Sequence, residues 1–150
     1  MTHTYKNHFF HIVWSTKHRE PVITTDIKES LHAYMGGIVR DYEGSLLKIN
    51  GMPDHVHLLL SLENLSVYND LIRDIKSSST KWAKKNYPSL KNFGWQEGYG
   101  SFSVSGSIIN NVIKYIENQE THHQKRSFEE EYLDFLNKHG ISYDPRFVFD

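Results

Sequence analysis

The sequence predicts an α+β fold of the ferredoxin-like, split β-α-β kind, in which an antiparallel sheet carries helices packed mainly on one face. Three observations predict it. The elements run in the order strand, helix, strand, strand, helix, strand, helix. The two middle strands are separated by the short Met52-Pro53-Asp54 connection, which suits an antiparallel hairpin. The two longest helical segments each show one apolar stripe at helical spacing.

Residues 7–15, NHFFHIVWS, are rich in aromatic and β-branched types and read as the first strand. Residues 26–42 then place Ile27, Leu31, Tyr34, Met35, Ile38 and Val39 at helical spacing, with Asp26 as the N-cap and an end near Gly44. SLLKING and HVHLLLSL form the hairpin. Residues 66–87 start at Ser66 and carry Val67, Leu71, Ile75 and Trp82 down to Pro88, a long helix. The glycine-rich stretch FGWQEGYGSFSVSG contains a strand at about 101–105. Ser107 caps a helix over about 107–123 that buries Ile108, Val112 and Ile116, and Phe128 to His139 gives a last helix ended by Gly140. No repeat or linker divides residues 1–150, so they are read as a single domain with a C-terminal helical appendage at about 124–150.

Bulk properties exclude several chemistries. There is no cysteine, so disulfides, thiolate metal sites and cysteine nucleophiles are ruled out. No apolar run approaches the roughly 18 residues that span a bilayer, and MTHTYKNHFF lacks the order of a secretory signal, so a soluble cytoplasmic protein is expected. The formal net charge of −1 argues against a general polyanion binder, and any nucleic-acid surface must be local.

Two motifs carry chemistry. In a strand, alternate residues share a face, so His55 and His57 project from one side with roots about 6.8 Å apart and can lean onto one cation, while Val56, Leu58 and Leu60 supply the apolar opposite face. With ten histidines in 150 residues, His-x-His arises by chance about 0.7 times, so the pair also reads as strand histidines satisfied by neighbouring carbonyls. On a helix, Tyr115 and Gln119 stand one turn apart on one face, presenting a phenol and an amide oxygen together. A phenol with a pKa near 10 is a poor nucleophile unless a cation or base favours its anion, and a metal also polarises a phosphate. Taken alone, Tyr115 reads equally as an ordinary amphipathic-helix residue.

The combination resembles the HUH endonucleases, and more closely the single-tyrosine transposases of the insertion sequence 200/605 type. The resemblance rests on DHVHLLL at 54–60, GYGSFSVS at 98–105, YIENQETHH at 115–123 and SFEEEYLDFLNKHGISYD at 127–144, together with the N-terminal NHFFHIVWSTKHR. It implies His55 and His57 as metal ligands, Tyr115 as nucleophile and Gln119 as the third protein ligand. Magnesium or manganese is the cofactor it implies, and zinc fits the donor types physically. His122 and His123 are placed outside the ligand set, as cations at a helix end interacting with its dipole.

The implied activity is binding of DNA hairpins at element ends, with cleavage and rejoining of single-stranded DNA through a 5′-phosphotyrosine. Arg73, Lys76, Lys81, Lys84 and Lys85, with the hydroxyl run Ser77 to Thr80, offer a phosphate path on the second long helix; Lys17, His18 and Arg19 form a second basic cluster. Unpaired bases would stack on an aromatic among Trp14, Trp82, Trp95 and Phe102. Family resemblance also implies a homodimer. Glycines around 98–106 would permit the tyrosine helix to swing toward a partner, and equally suit an ordinary loop. Two rival readings stay open: a metal-dependent nuclease in which water attacks and Tyr115 is structural, and a non-mobile or domesticated hairpin-binding protein.

Overall fold

The structure, a computed structural model, describes residues 3–150. Met1 and Thr2, part of the expected 1–150 domain, lie outside the described residues. Four strands, β1 (Phe9–Ser15), β2 (Ser45–Met52), β3 (His55–Ser61) and β4 (Gly100–Val104), form one antiparallel sheet in the order β2-β3-β1-β4. Two long helices, α1 (Thr25–Asp41) and α2 (Tyr68–Asn86), cover one face as the sequence implies. Three shorter helices, α3 (Ile109–Glu117), α4 (Gln119–His123) and α5 (Phe128–Lys138), lie over the opposite face.

The period-two pattern of the central strands dictates this layering. Ile12 and Trp14 of β1 and Val56, Leu58 and Leu60 of β3 point to the α1/α2 side, where they meet Leu31, Met35, Val39, Leu71, Ile72 and Ile75 in one buried cluster. Fully burying each such aliphatic side chain contributes roughly 1.5–3 kcal/mol. The residues between them, His11, Val13, His55 and His57, therefore face α3–α5. Val13 packs there with Phe102, Phe128, Tyr132 and Leu136 in a smaller second cluster.

Three local departures from the sequence reading have physical causes. The expected helix over 107–123 is two helices: Ser105, not Ser107, accepts the capping hydrogen bond of a preceding 3-10 turn, and the helix breaks at Asn118. The break is held by Asn50 of β2, whose Nδ2 donates to the carbonyls of Ile116 (2.9 Å) and Glu117 (3.2 Å), groups that a helix end leaves without partners. Thr24 occupies the N-cap of α1 and Asp26 sits in its first turn. At the start of α2, the Asn64 side chain caps a 3-10 turn by accepting from Ser66 N.

Register is set by a bulge. Leu46 pairs with Leu60 and Lys48 with Leu59, so Leu47 is the extra residue, and beyond it Asn50 pairs with His57. This brings Asn50 onto the histidine face. Lys48, on the same face, reaches Glu117 of α3 at 3.0 Å.

Candidate functional site

The site lies where β3, α3, α4 and α5 meet. His55 and His57 are 1% and 0% exposed, Gln119 is 0% and Glu131 is 1%, so these polar groups are shut off from solvent. His55 Nε2 is 3.1 Å from Gln119 Oε1. His57 Nε2 is 2.9 Å from Glu131 Oε1. The hydroxyl of Tyr115 donates to the other oxygen of Glu131 and lies 3.0 Å from His122 Nε2. Thus the four residues singled out from the sequence, His55, His57, Tyr115 and Gln119, are brought together within one chain. The turn geometry explains the last pair: Gln119 follows the Asn118 break, and its Nε2 donates back to the Tyr115 carbonyl at 3.3 Å, which turns Oε1 toward the histidines.

Each histidine is held from behind. Asp54 Oδ1 accepts from His55 Nδ1 at 2.7 Å, which aims Nε2 into the site. His57 Nδ1 meets His11 Nε2 at 2.8 Å, both rings being buried. Burial, and to a lesser degree the neighbouring His57, pushes the pKa of His11 down to about 3. Burial likewise lowers that of His57 against the opposing pull of Glu131. Both rings are therefore neutral near pH 7, the state that binds a metal.

His123 is the correction to the sequence reading. Expected as a helix-end cation outside the ligand set, it has its Nε2 3.0 Å from Gln119 Oε1 and 3.2 Å from Glu131 Oε1. Its neighbour His122 touches Tyr115 and Glu131 rather than solvent alone. The short helix α4 begins at Gln119 after the break, and that reorientation turns both rings inward. Glu131 was missed altogether. Its signal was present: Phe128, Tyr132, Phe135 and Leu136 mark the apolar face of α5, and residue 131 falls inside that stripe.

Burial alone would raise the pKa of Glu131, but hydrogen bonds from His123 and His57 outweigh it and hold the carboxyl well below the usual range. For His123 burial acts downward, and the Glu131 hydrogen bond reverses it to a net rise. Tyr115 is pushed up, by burial first and then by the Glu131 charge. His122 is lowered, mainly by burial, with His123 and Arg126 acting the same way against Glu131. The phenol is thus firmly protonated beside a neutral imidazole.

His55, His57, His123 and Glu131 offer donor atoms that all lie within 4.8 Å of one another. Imidazole and carboxylate donors suit magnesium, manganese or zinc, so the residues present fit a divalent ion. A cleft of about 210 Å³ opens beside Tyr115 and is lined by Asn111, Val112, Arg126, Phe135 and Lys138.

The residues expected to contact DNA are divided. Lys17 is exposed at the end of β1, near the His55 end of β3. Arg19 is bound to Glu129 of α5 at 2.7 Å and lies over the Phe149 ring. Lys81, Lys84 and Lys85 are exposed on α2, and Arg73 is exposed but paired with Asp70 and Asp74. Lys76 is committed elsewhere: its ammonium donates to the carbonyls of Glu97 (2.8 Å) and Gly98 (3.0 Å). Burial pulls its pKa down to about 8. All of α2 lies across the sheet from Tyr115. Among the four aromatics considered for base stacking, Trp14, Trp95 and Phe102 are buried, whereas Trp82 is half-exposed and stacks on Tyr34. No helix among the described residues is long and apolar enough to cross a membrane.

A four-stranded antiparallel sheet, with paired histidines on a central strand facing a tyrosine helix, is the fold of the HUH tyrosine transposases. The family model described as "Transposase IS200 like" matches residues 4–119, and the chain belongs to that family. The ISDra2 transposase TnpA of Deinococcus radiodurans is 30% identical over 115 residues, covering 73% of this chain and 82% of the relative. A crystal structure of a protein from Deinococcus radiodurans R1, described as a transposase, superposes with a TM-score of 0.64 at 27% identity, covering 79% of this chain and 96% of that one. A REP-associated tyrosine transposase bound to a REP hairpin shares the fold with a TM-score of 0.60 at 18% identity, covering 82% and 74% of the two chains.

Proposed function

We propose that this chain is a transposase that binds DNA hairpins at element ends and cleaves and rejoins single-stranded DNA through a 5′-phosphotyrosine. Tyr115 is the nucleophile, and His55, His57 and Gln119 hold Mg²⁺ or Mn²⁺. The observation that carries this reading is the convergence of a phenol and a carboxamide from one segment with two imidazoles from another, 64 residues apart at the His55–Gln119 contact. Membership of the IS200-like family supports it, as does the hairpin held by the REP-associated relative.

When bound, the cation supplies positive charge to the non-bridging oxygens of the phosphate. The chain's own residues do the rest. The Oη of Tyr115 attacks phosphorus; the Oη–P bond forms, the bond from phosphorus to the 3′ oxygen breaks, and the departing oxygen becomes a 3′-hydroxyl by taking a proton from solvent. His122 Nε2 and the Glu131 carboxylate are the two groups against the phenol able to receive its proton. Asp54 and His11 fix the ring orientations of His55 and His57. A second 3′-hydroxyl then reverses the attack and joins new ends, with the ester energy kept in the covalent link.

Phosphate contacts fall to Lys17, Lys81, Lys84 and Lys85, with Arg19, Arg73 and Lys76 contributing by exchanging their present partners in the chain. A strand running from α2 to Tyr115 has to round an edge of the sheet. Residues 3–150 act as one unit in this reading, and the family resemblance implies that the chain works as a homodimer.

The test is a denaturing gel of hairpin-bearing single-stranded DNA incubated with Mn²⁺ or Mg²⁺. The wild-type chain gives a protein–DNA adduct, and Tyr115→Phe gives none while still retarding the hairpin. Plain hydrolysis without an adduct would establish the water-attacking nuclease, and hairpin binding with neither product would establish the domesticated binding protein.

A further inference from the structure

Five buried side-chain atoms, each able to offer a lone pair, converge at the centre of the site. Nδ1 of His55 is turned to Asp54 and Nδ1 of His123 to the Arg126 carbonyl at 2.8 Å, so both Nε2 atoms point inward. Gln119 spends its amide protons toward the Tyr115 carbonyl, which leaves Oε1 as the inward atom. Around it and Glu131 Oε1 stand His55 Nε2 at 3.1 Å, His123 Nε2 at 3.0 and 3.2 Å, and His57 Nε2 at 2.9 Å. With side chains only 0–6% exposed, these atoms can turn to no solvent, and a cation taken up among them would replace the protons that link them.

The spacing is compatible with such an occupant. Donors about 2.1 Å from an octahedral cation stand about 3.0 Å apart along the edges of the octahedron; the contacts to Gln119 and Glu131 run from 2.9 to 3.2 Å, with His55 Nε2 to Glu131 Oε1 at 3.6 Å. The carboxylate is the only anion among them. Among the described residues its ion-pair partners are His55, His57, His122 and His123, with no lysine or arginine in range. A buried carboxylate surrounded by imidazoles whose Nε2 atoms are turned toward it is matched to a divalent ion rather than to a side-chain cation.

We propose that Glu131, carried in by α5, is an anionic ligand of the cation held by His55, His57 and Gln119, with His123 as a further imidazole ligand, so that metal binding ties the C-terminal helix to the sheet. This rests on the metal site of the preceding section and extends it. Both added ligands lie beyond the family match, which ends at residue 119. They come from the segment whose place the capping box of Ser127 and Glu130 and the packing of Phe128, Tyr132 and Leu136 on Val13 and Phe102 determine. The second oxygen of Glu131 meets the Tyr115 hydroxyl, so the same carboxylate couples the position of the nucleophile to that of the ion.

The experiment measures Mn²⁺ affinity by isothermal titration calorimetry on the full chain, alongside Mn²⁺-dependent protection from trypsin at Lys125 and Arg126, the joint before α5. The wild type binds Mn²⁺ and is cut more slowly when saturated. Glu131→Gln loses at least about tenfold in affinity and the metal-dependent protection, the scale expected when a ligand or its support is removed. Glu129→Gln, at a half-exposed neighbour on the same helix whose carboxylate faces Arg19 rather than the histidines, retains both. If Glu131→Gln binds Mn²⁺ as the wild type does while His57→Ala has lost it, Glu131 is no ligand and the metal site of the preceding section stands. If His57→Ala also binds normally, that site itself is wrong. Should Glu131→Gln fail to fold by circular dichroism, the wild-type protection decides: equal trypsin rates with and without saturating Mn²⁺ overturn the proposal.

Discussion

Replacing His11 with leucine separates a supporting role from a merely buried one. His11 is 4% exposed, and its Nε2 is 2.8 Å from Nδ1 of His57, a residue with no exposure at all. The contact holds in either protonation pattern. With a proton on Nε2, His57 donates to Glu131 and accepts from His11. With Nε2 given to a cation, the ring proton moves to Nδ1 and donates to His11. Leucine satisfies neither, leaving a buried Nδ1 without a partner at about 1–3 kcal/mol. Because the ring is then free to turn, Mn²⁺ affinity falls about 10–100-fold, equivalent to about 1.4–2.7 kcal/mol. His11→Gln, which keeps a donor and an acceptor, recovers most of it. Calorimetric titration of Mn²⁺ into the three proteins reads this directly. Wild-type affinity in His11→Leu would refute the argument that the outer nitrogen of His57 needs a partner.

Two further outcomes follow from the fold. His32 on α1 has its pKa pushed down to about 4, by burial first and then by Lys28. The folded chain keeps this ring neutral while the unfolded chain protonates it near 6.5, so no stability is lost above pH 6.5. Between about 6.5 and 4 the loss grows to about 3 kcal/mol, and His32→Leu should flatten that part of the urea stability curve; parallel curves would show the ring is not buried neutral. At Gly51 an added Cβ would lie 2.2 Å from the His55 carbonyl oxygen and 2.9 Å from Val56 Cα, both backbone atoms. Gly51→Ala should therefore force the hairpin apart beside His55, costing about 1–3 kcal/mol or more and weakening Mn²⁺ binding. An unchanged melting temperature would contradict it.

The sequence by itself determined the sheet and the faces of its strands. Period-two alternation in NHFFHIVWS and HVHLLLS decides which residues enter the α1/α2 core, and the same alternation obliges His11, His55 and His57 to share the opposite face. Helical spacing likewise set Tyr115 and Gln119 one turn apart, although the break at Asn118 puts them on successive helices. These are local relations, fixed by backbone geometry over a few residues.

Tertiary structure decided what meets those faces. That Asn50 would break the tyrosine helix depends on the bulge at Leu47 that turns Asn50 toward it, and that break is what aims His122 and His123 inward. That Lys76 would bond two carbonyls depends on where the loop before β4 passes over α2. Glu131 reaches the histidines only because an apolar stripe on α5 docks against Val13 and Phe102, and a carboxylate inside that stripe is carried wherever the docking takes it. Contacts across 74 residues between His57 and Glu131 leave no periodic mark in the chain, since they are set by how two surfaces fit and not by the spacing along either.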